Sequence, residues 1–172
     1  VILLTLGTGV GGGVLINGEL YQGLAQMAGH LGHISLDAAD DENSIVGMPG
    51  SLEYSLGNYS VARRSRGAFD STWALVEAYR KGDHWAALLW LNSVQKLAVA
   101  IGSLANALSP EMVVLAGGIT LADDALFEPL KVFVEKYEWR PGGKQTEIVQ
   151  AHFGDMAGAI GAAGFAMKRV KK

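Results

Sequence analysis

The stretch with the clearest chemical potential is Gly7-Thr8-Gly9-Val10-Gly11-Gly12-Gly13, with five glycines in seven positions. Glycine tolerates positive φ and lets backbone N–H groups close on a ligand. Such a turn can form a nest for phosphate oxygens, with the Thr8 hydroxyl as a further donor. It is not a Walker loop, because no Gly-Lys-Ser/Thr follows. It is not a dinucleotide fingerprint either, because a strand rather than a helix comes next. The competing reading is a tight hairpin that needs glycine for geometry alone. Two further glycine groups favour a ligand. Gly117-Gly118 stands at the C-terminal end of a predicted strand, where open α/β sheets bind ligands. Gly154, Gly158 and Gly161 are read as letting the last helix pack close to a neighbour.

Other reactive side chains are sparse. His33 with His30 or Asp37 could hold a metal, but no third clear ligand supports one, and no metal site is expected. The acidic run Ala38 to Asn43 lacks the alternating ligands and turn glycine of a calcium loop and reads as solvated. Arg63, Arg64 and Arg66 read as a solvated face, and Trp73, Trp90 and Trp139 as core or interface packing rather than base stacking. His84 reads as helix-start surface, Trp85 as a partly buried anchor and His152 as structural, while Asn58 and Tyr59 receive no specific role.

These residues need elements to carry them. Val1 to Leu6 is apolar and β-branched and predicts a buried strand. Val14 to Ile16 predicts a second, closed by the Asn17-Gly18 turn, and the alternation over Leu31 to Asp37 predicts a third. Helices are predicted from Ser51, from Ser71 and from Asp83 to about Leu108, each opening on a capping side chain. In the last, Leu88, Leu91, Val94, Leu97, Ile101, Leu104 and Leu108 recur at three and four and predict a core face. A strand over Glu111 to Ala116, a helix over Asp123 to Tyr137, a strand over Glu147 to Ala151 and a helix over Met156 to Lys168 follow. Three strands, helices, then strand, helix, strand, helix give a mixed five-stranded sheet flanked by helices, the α/β ribonuclease-H-like arrangement.

Composition narrows the function. Glycine supplies 23 of 172 residues, close to twice the usual share of about 7%. With 4 Pro and 49% hydrophobic residues, a disordered or collagen-like chain is excluded, and one domain is expected. The absence of Cys excludes disulfides, a thiol nucleophile and a thiolate zinc site. A net charge of −3 argues against a nucleic-acid footprint, and the basic run Lys168 to Lys172 reads as a solvated helix end. No apolar stretch is expected to approach the roughly 18 residues of a membrane span, since Asn92, Gln95, Lys96 and Asn106 interrupt Trp85 to Leu108. No basic-start leader precedes the glycines, and the chain opens on Val1 without an initiator Met, so a cytoplasmic fragment is expected.

Taken in order, several motifs resemble the ROK family of sugar kinases and sugar-responsive repressors, within the actin-like and hexokinase-like ATPase superfamily. They are Leu6 to Val14 followed by Asn17-Gly18-Glu19-Leu20-Tyr21-Gln22-Gly23, Ala28 to Ile34, Gly47 to Glu53, Val113 to Ile119 and Ala159 to Gly164. The resemblance implies that Gly7, Thr8, Gly9 and Gly11 belong to the second phosphate loop and that Gly117 and Gly118 lie beside adenosine. It implies that His33 contacts a sugar. The family's preceding Glu is His30 here, and a neutral imidazole accepts one hydroxyl hydrogen bond where a carboxylate accepts two, which bears on sugar choice.

The resemblance further implies an ATP- and Mg²⁺-dependent, glucokinase-like hexose kinase, commonly a homodimer. Residues 1–172 would be its single C-terminal lobe, with the N-terminal lobe absent. That lobe carries the first phosphate loop and the catalytic Asp in the family, so no catalytic residue is expected in this chain. The family's Cys-rich zinc loop corresponds to about Ala39 to Ser51, where Gly47, Gly50 and Glu53 keep the framework and no Cys stands, so no structural zinc is expected. The alternatives are a sugar-sensing transcriptional regulator, whose nucleic-acid contacts would lie in an upstream helix-turn-helix, and a non-catalytic descendant.

Overall fold

Strand β1 (Ile2–Leu6) alternates between two environments: Ile2, Leu4 and Leu6 are buried and Thr5 is exposed. The coordinates are a computed structural model that describes residues 1–170, so Lys171 and Lys172, and the side chains of the basic end, lie outside the described residues. After the turn Gly7 to Gly9 the chain returns antiparallel as β2 (Val10–Ile16), with Leu6 opposite Val10 and Ile2 opposite Val14. Asn17 and Gly18, at φ 53° and 77°, form the left-handed turn that matches strand twist and lead into β3 (Glu19–Leu20). β4 (Met112–Ala116) lies parallel to β1, and β5 (Glu147–Gln150) parallel to β4. The order β3-β2-β1-β4-β5 is the expected mixed five-stranded sheet.

The third strand is not where the alternation placed it. Leu31–His33 is a 3₁₀ turn, and the segment beyond it contributes only a bridge from Ser35 to Ser51. Gly32 explains the difference: a Cβ there would overlap the Val10 carbonyl, so this segment crosses over β2 at close range instead of pairing beside it. β2 also starts earlier than expected, taking Gly11, Gly12 and Gly13 into the ladder opposite Thr5, Leu4 and Leu3.

The helices open as their caps dictate. Ser51 Oγ accepts from Tyr54 N–H at 3.2 Å before α1 (Leu52–Leu56), and short α2 (Val61–Arg64) follows. Ser71 Oγ accepts from Ala74 N–H at 3.2 Å before α3 (Thr72–Arg80), and Asp83 Oδ1 from Ala86 N–H at 2.8 Å before α4 (His84–Leu108). α5 (Asp124–Tyr137) and α6 (Ala157–Val170) complete the set. α4 packs against α1, α3 and α5, and Trp90, Val94, Leu97, Ile101 and Leu104 form its buried stripe.

Three expectations fail here. Leu88 and Leu108, assigned to the core face of α4, are exposed, because the buried stripe runs through Trp90 and Ala86 instead. α4 is long and apolar enough to cross a membrane, since a few polar side chains do not break an average; half of its most apolar window is buried inside the fold. Gly158, Gly161 and Gly154 meet no described atom within 4 Å where a Cβ would stand, so the expected close packing of α6 is not made within the described residues.

Candidate functional site

The turn between β1 and β2 is closed by the Gly7 N–H donating to the Gly9 carbonyl at 3.0 Å. Its outer carbonyls are occupied too: Gly7 O accepts from Asn58 N–H at 3.0 Å and Thr8 O from Tyr59 N–H at 3.1 Å. The N–H groups of Thr8 and Gly9 take no part in these bonds. None of Gly7 to Gly13 adopts positive φ, contrary to the nest geometry that glycine suggested. At Gly9, Gly11 and Gly12 the need for glycine is steric instead. A Cβ on Gly9 would overlap Glu53 Oε2, one on Gly11 would meet Thr5 Oγ1, and one on Gly12 would press on the Gly29 carbonyl and Leu31.

On one side of the turn lies a cavity of about 440 Å³. Gly7 and Thr8 form one wall, and Gly118, Ile119, Leu121 and Ala122 after β4 form the opposite one. Asn58 and the α3 residues Thr72, Trp73, Val76, Glu77 and Arg80 close it. Gly7 and Gly118 both meet open space where a Cβ would stand. Gly117, at φ 92°, is held by close approach to the Leu6 backbone and turns the chain out of β4. Gly9, Gly11 and Gly117 shape the backbone without lining the cavity, whereas Gly7, Thr8 and Gly118 are brought together across it.

On the other side of the turn stand His30 and His33. Their rings stack 5.7 Å apart at 12°, and His33 Nδ1, buried without a hydrogen-bond partner, lies 4.0 Å from Glu53 Oε1. Glu53 is buried in α1, where its Oε2 accepts from Val10 N–H at 3.2 Å and its Oε1 from Ile45 N–H at 3.3 Å. The carboxylate therefore ties the loop after residue 43 to the first residue of β2 and faces the histidine pair. Its signal in the sequence was a lone carboxylate between Leu52 and Tyr54. Asp37, considered beside the histidines, is engaged elsewhere: Lys96 Nζ donates to it at 3.0 Å, which with the Ala39 N–H holds its carboxyl below the usual range. Among the described residues no three His, Cys, Asp or Glu side chains cluster as metal ligands.

Several side chains differ from their sequence readings. Trp73 and Trp139 are about three-quarters exposed and stand outside the core, while Trp90 is buried as expected and donates its Nε1–H to Ala125 O at 2.7 Å. The arginine cluster divides. Arg64 is turned inward and donates to Ser60 Oγ at 2.9 Å and Ser93 Oγ at 2.8 Å, and burial pushes its guanidinium down to about 10. Arg63 pairs with Glu42 at 2.6 Å, so the acidic loop is fastened to α2 rather than simply solvated. Asn58, given no role from sequence, accepts from Thr72 N–H at 2.7 Å and sets the start of α3 against the cavity.

The ROK family model matches residues 1–169. A glucokinase of Halalkalibacterium halodurans is 33% identical over 177 residues, covering 93% of this chain and 54% of that protein. An N-acetylmannosamine kinase of Vibrio cholerae is 31% identical, over 96% of this chain and 56% of that protein. The solved ROK hexokinase from Thermus thermophilus shares the fold with a TM-score of 0.89 at 31% identity, over 99% of this chain and 57% of its own. The chain thus spans about half the length of the curated relatives it matches. A family match over nearly every residue, on the ribonuclease-H-like sheet described here, makes this chain a member of the ROK family.

Proposed function

We propose that this chain is the C-terminal, nucleotide-binding lobe of an ATP-dependent hexose kinase of glucokinase type. The observation that carries the reading is the β1–β2 turn, which borders an open cavity on one side and the His33–Glu53 pair on the other. A donor phosphate and an acceptor sugar on either side of one turn would be close enough for transfer, and catalysis of this kind is largely positioning and charge stabilisation. In this reading Gly7 and Thr8 present the phosphate side with Gly9 and Gly11 shaping the turn, Gly118 presents the adenosine side with Gly117 turning the chain toward it, and His30 and His33 form part of the sugar side. Glu53 would accept a sugar hydroxyl or orient His33.

Mg²⁺ enters with ATP and neutralises phosphate charge. The general base and the other phosphate loop come from an N-terminal lobe, so this chain contributes no catalytic residue. The protein works as a cytoplasmic homodimer. The named activities of the relatives, glucokinase and N-acetylmannosamine kinase, support a sugar-phosphorylating reaction. Calorimetric titration of the complete protein with Mg²⁺-ATP and a panel of hexoses tests the reading. Nucleotide binding that tightens with one hexose supports it. No nucleotide binding at millimolar concentration overturns it, and sugar binding without nucleotide binding would favour a regulator.

A further inference from the structure

Trp73 is the second residue of α3 and is 75% exposed. It is not a stray surface side chain. Trp73, Val76, Glu77 and Arg80 follow the i, i+3, i+4, i+7 spacing of one helix face, and all four border the cavity. Ile119 and Leu121 lie across from them, Leu121 also open to water. The two charged side chains on this face are already engaged: Arg80 donates to Ala122 O at 2.9 Å and to Glu77 Oε1 at 3.3 Å. Beside Trp73, the Oγ1 of Thr72 is buried without a hydrogen-bond partner. The cavity therefore offers a flat aromatic face and apolar walls next to a polar glycine turn, with its long polar side chains committed to each other.

We infer that Trp73 is the stacking platform for the base of the bound nucleotide, and that the site selects purine over pyrimidine nucleotides by face, without separating adenine from guanine by edge. The inference rests on the reading of this cavity as the nucleotide site. Base–aromatic stacking tolerates any base because every base has a π-face, and the bicyclic purines present the larger one.

The test compares the complete protein with its Trp73→Ala and Trp73→Phe variants, titrated with ATP, GTP, CTP and inorganic tripolyphosphate, by calorimetry and tryptophan fluorescence. Within this chain Trp90 is buried in the core and Trp85 and Trp139 do not border the cavity, and the fluorescence change lost in Trp73→Phe is the part that Trp73 reports. ATP and GTP should bind within about threefold of each other, quench Trp73, and outbind CTP. Trp73→Ala should weaken ATP about tenfold, the lower range for base stacking, and leave tripolyphosphate unchanged. Trp73→Phe should retain most ATP affinity and lose the quench. Equal ATP affinity in native and Trp73→Ala chains overturns the platform, as does an equal loss for ATP and tripolyphosphate. Rejection of GTP by more than about tenfold overturns recognition by face. If neither nucleotide nor tripolyphosphate binds the complete protein, the nucleotide reading fails and this inference with it.

Discussion

Gly9→Ala isolates the contact that joins the two sides of the turn. Gly9 has no positive φ, so alanine meets no backbone objection there. The added methyl would instead overlap Glu53 Oε2 and lie 3.1 Å from the carboxyl carbon. Glu53 cannot simply swing away, because it is buried and its oxygens hold Val10 N–H at 3.2 Å and Ile45 N–H at 3.3 Å. Displacing it breaks both bonds. Bonds to a charged acceptor contribute about 1.5–3 kcal/mol each, and both are long, so about 3 kcal/mol is expected in total. For a chain of this size that lowers Tm by about 6–12 °C. Urea unfolding followed by circular dichroism measures it, in a double-mutant cycle with Glu53→Ala. Once the carboxylate is gone the methyl has room, and Gly9→Ala should be neutral within about 0.5 kcal/mol. Equal loss in both backgrounds would refute the claim that Glu53 is what requires a glycine at position 9.

Two further changes probe the frame of the site. Trp90→Phe leaves a void in the core and strips the Ala125 carbonyl of its 2.7 Å donor, so a loss of roughly 2–4 kcal/mol in urea unfolding is expected, and less than about 1 kcal/mol would contradict the packing described. Glu138 is buried, which opposes its charge, but bonds from Thr146 N–H at 2.8 Å and Arg140 Nε at 2.7 Å prevail and hold its carboxyl below the ordinary value. A folded pKa depressed in this way adds stability that is present above the unfolded pKa and lost as pH falls through the folded one. The Tm gap between native and Glu138→Gln chains should therefore be open at pH 7 and close in strong acid; a gap independent of pH would refute this.

What was legible in the residues was local. The Asn17-Gly18 turn, the capping oxygens of Ser51, Ser71 and Asp83, and the apolar runs of β1 and β4 act over a few positions, so type and spacing suffice to read them. The ordered motifs from Gly7 to Gly164 were enough to point to the family. Burial and orientation were not legible, because they depend on neighbours brought from far along the chain. Arg64 is drawn inside by Ser93, 29 residues on. Leu31 to Asp37 alternates like a strand, yet Gly32 must clear the Val10 carbonyl. Gly9 looked like a phosphate-nest glycine, and the Glu53 carboxylate, 44 positions later, gives it a steric reason. Trp73 looked like packing, and the fold leaves it open beside the cavity. Residue chemistry thus announced which groups were available to meet a ligand. Long-range packing placed them on opposite sides of one turn, because tertiary contact alone sets which side chains lose water and which keep it.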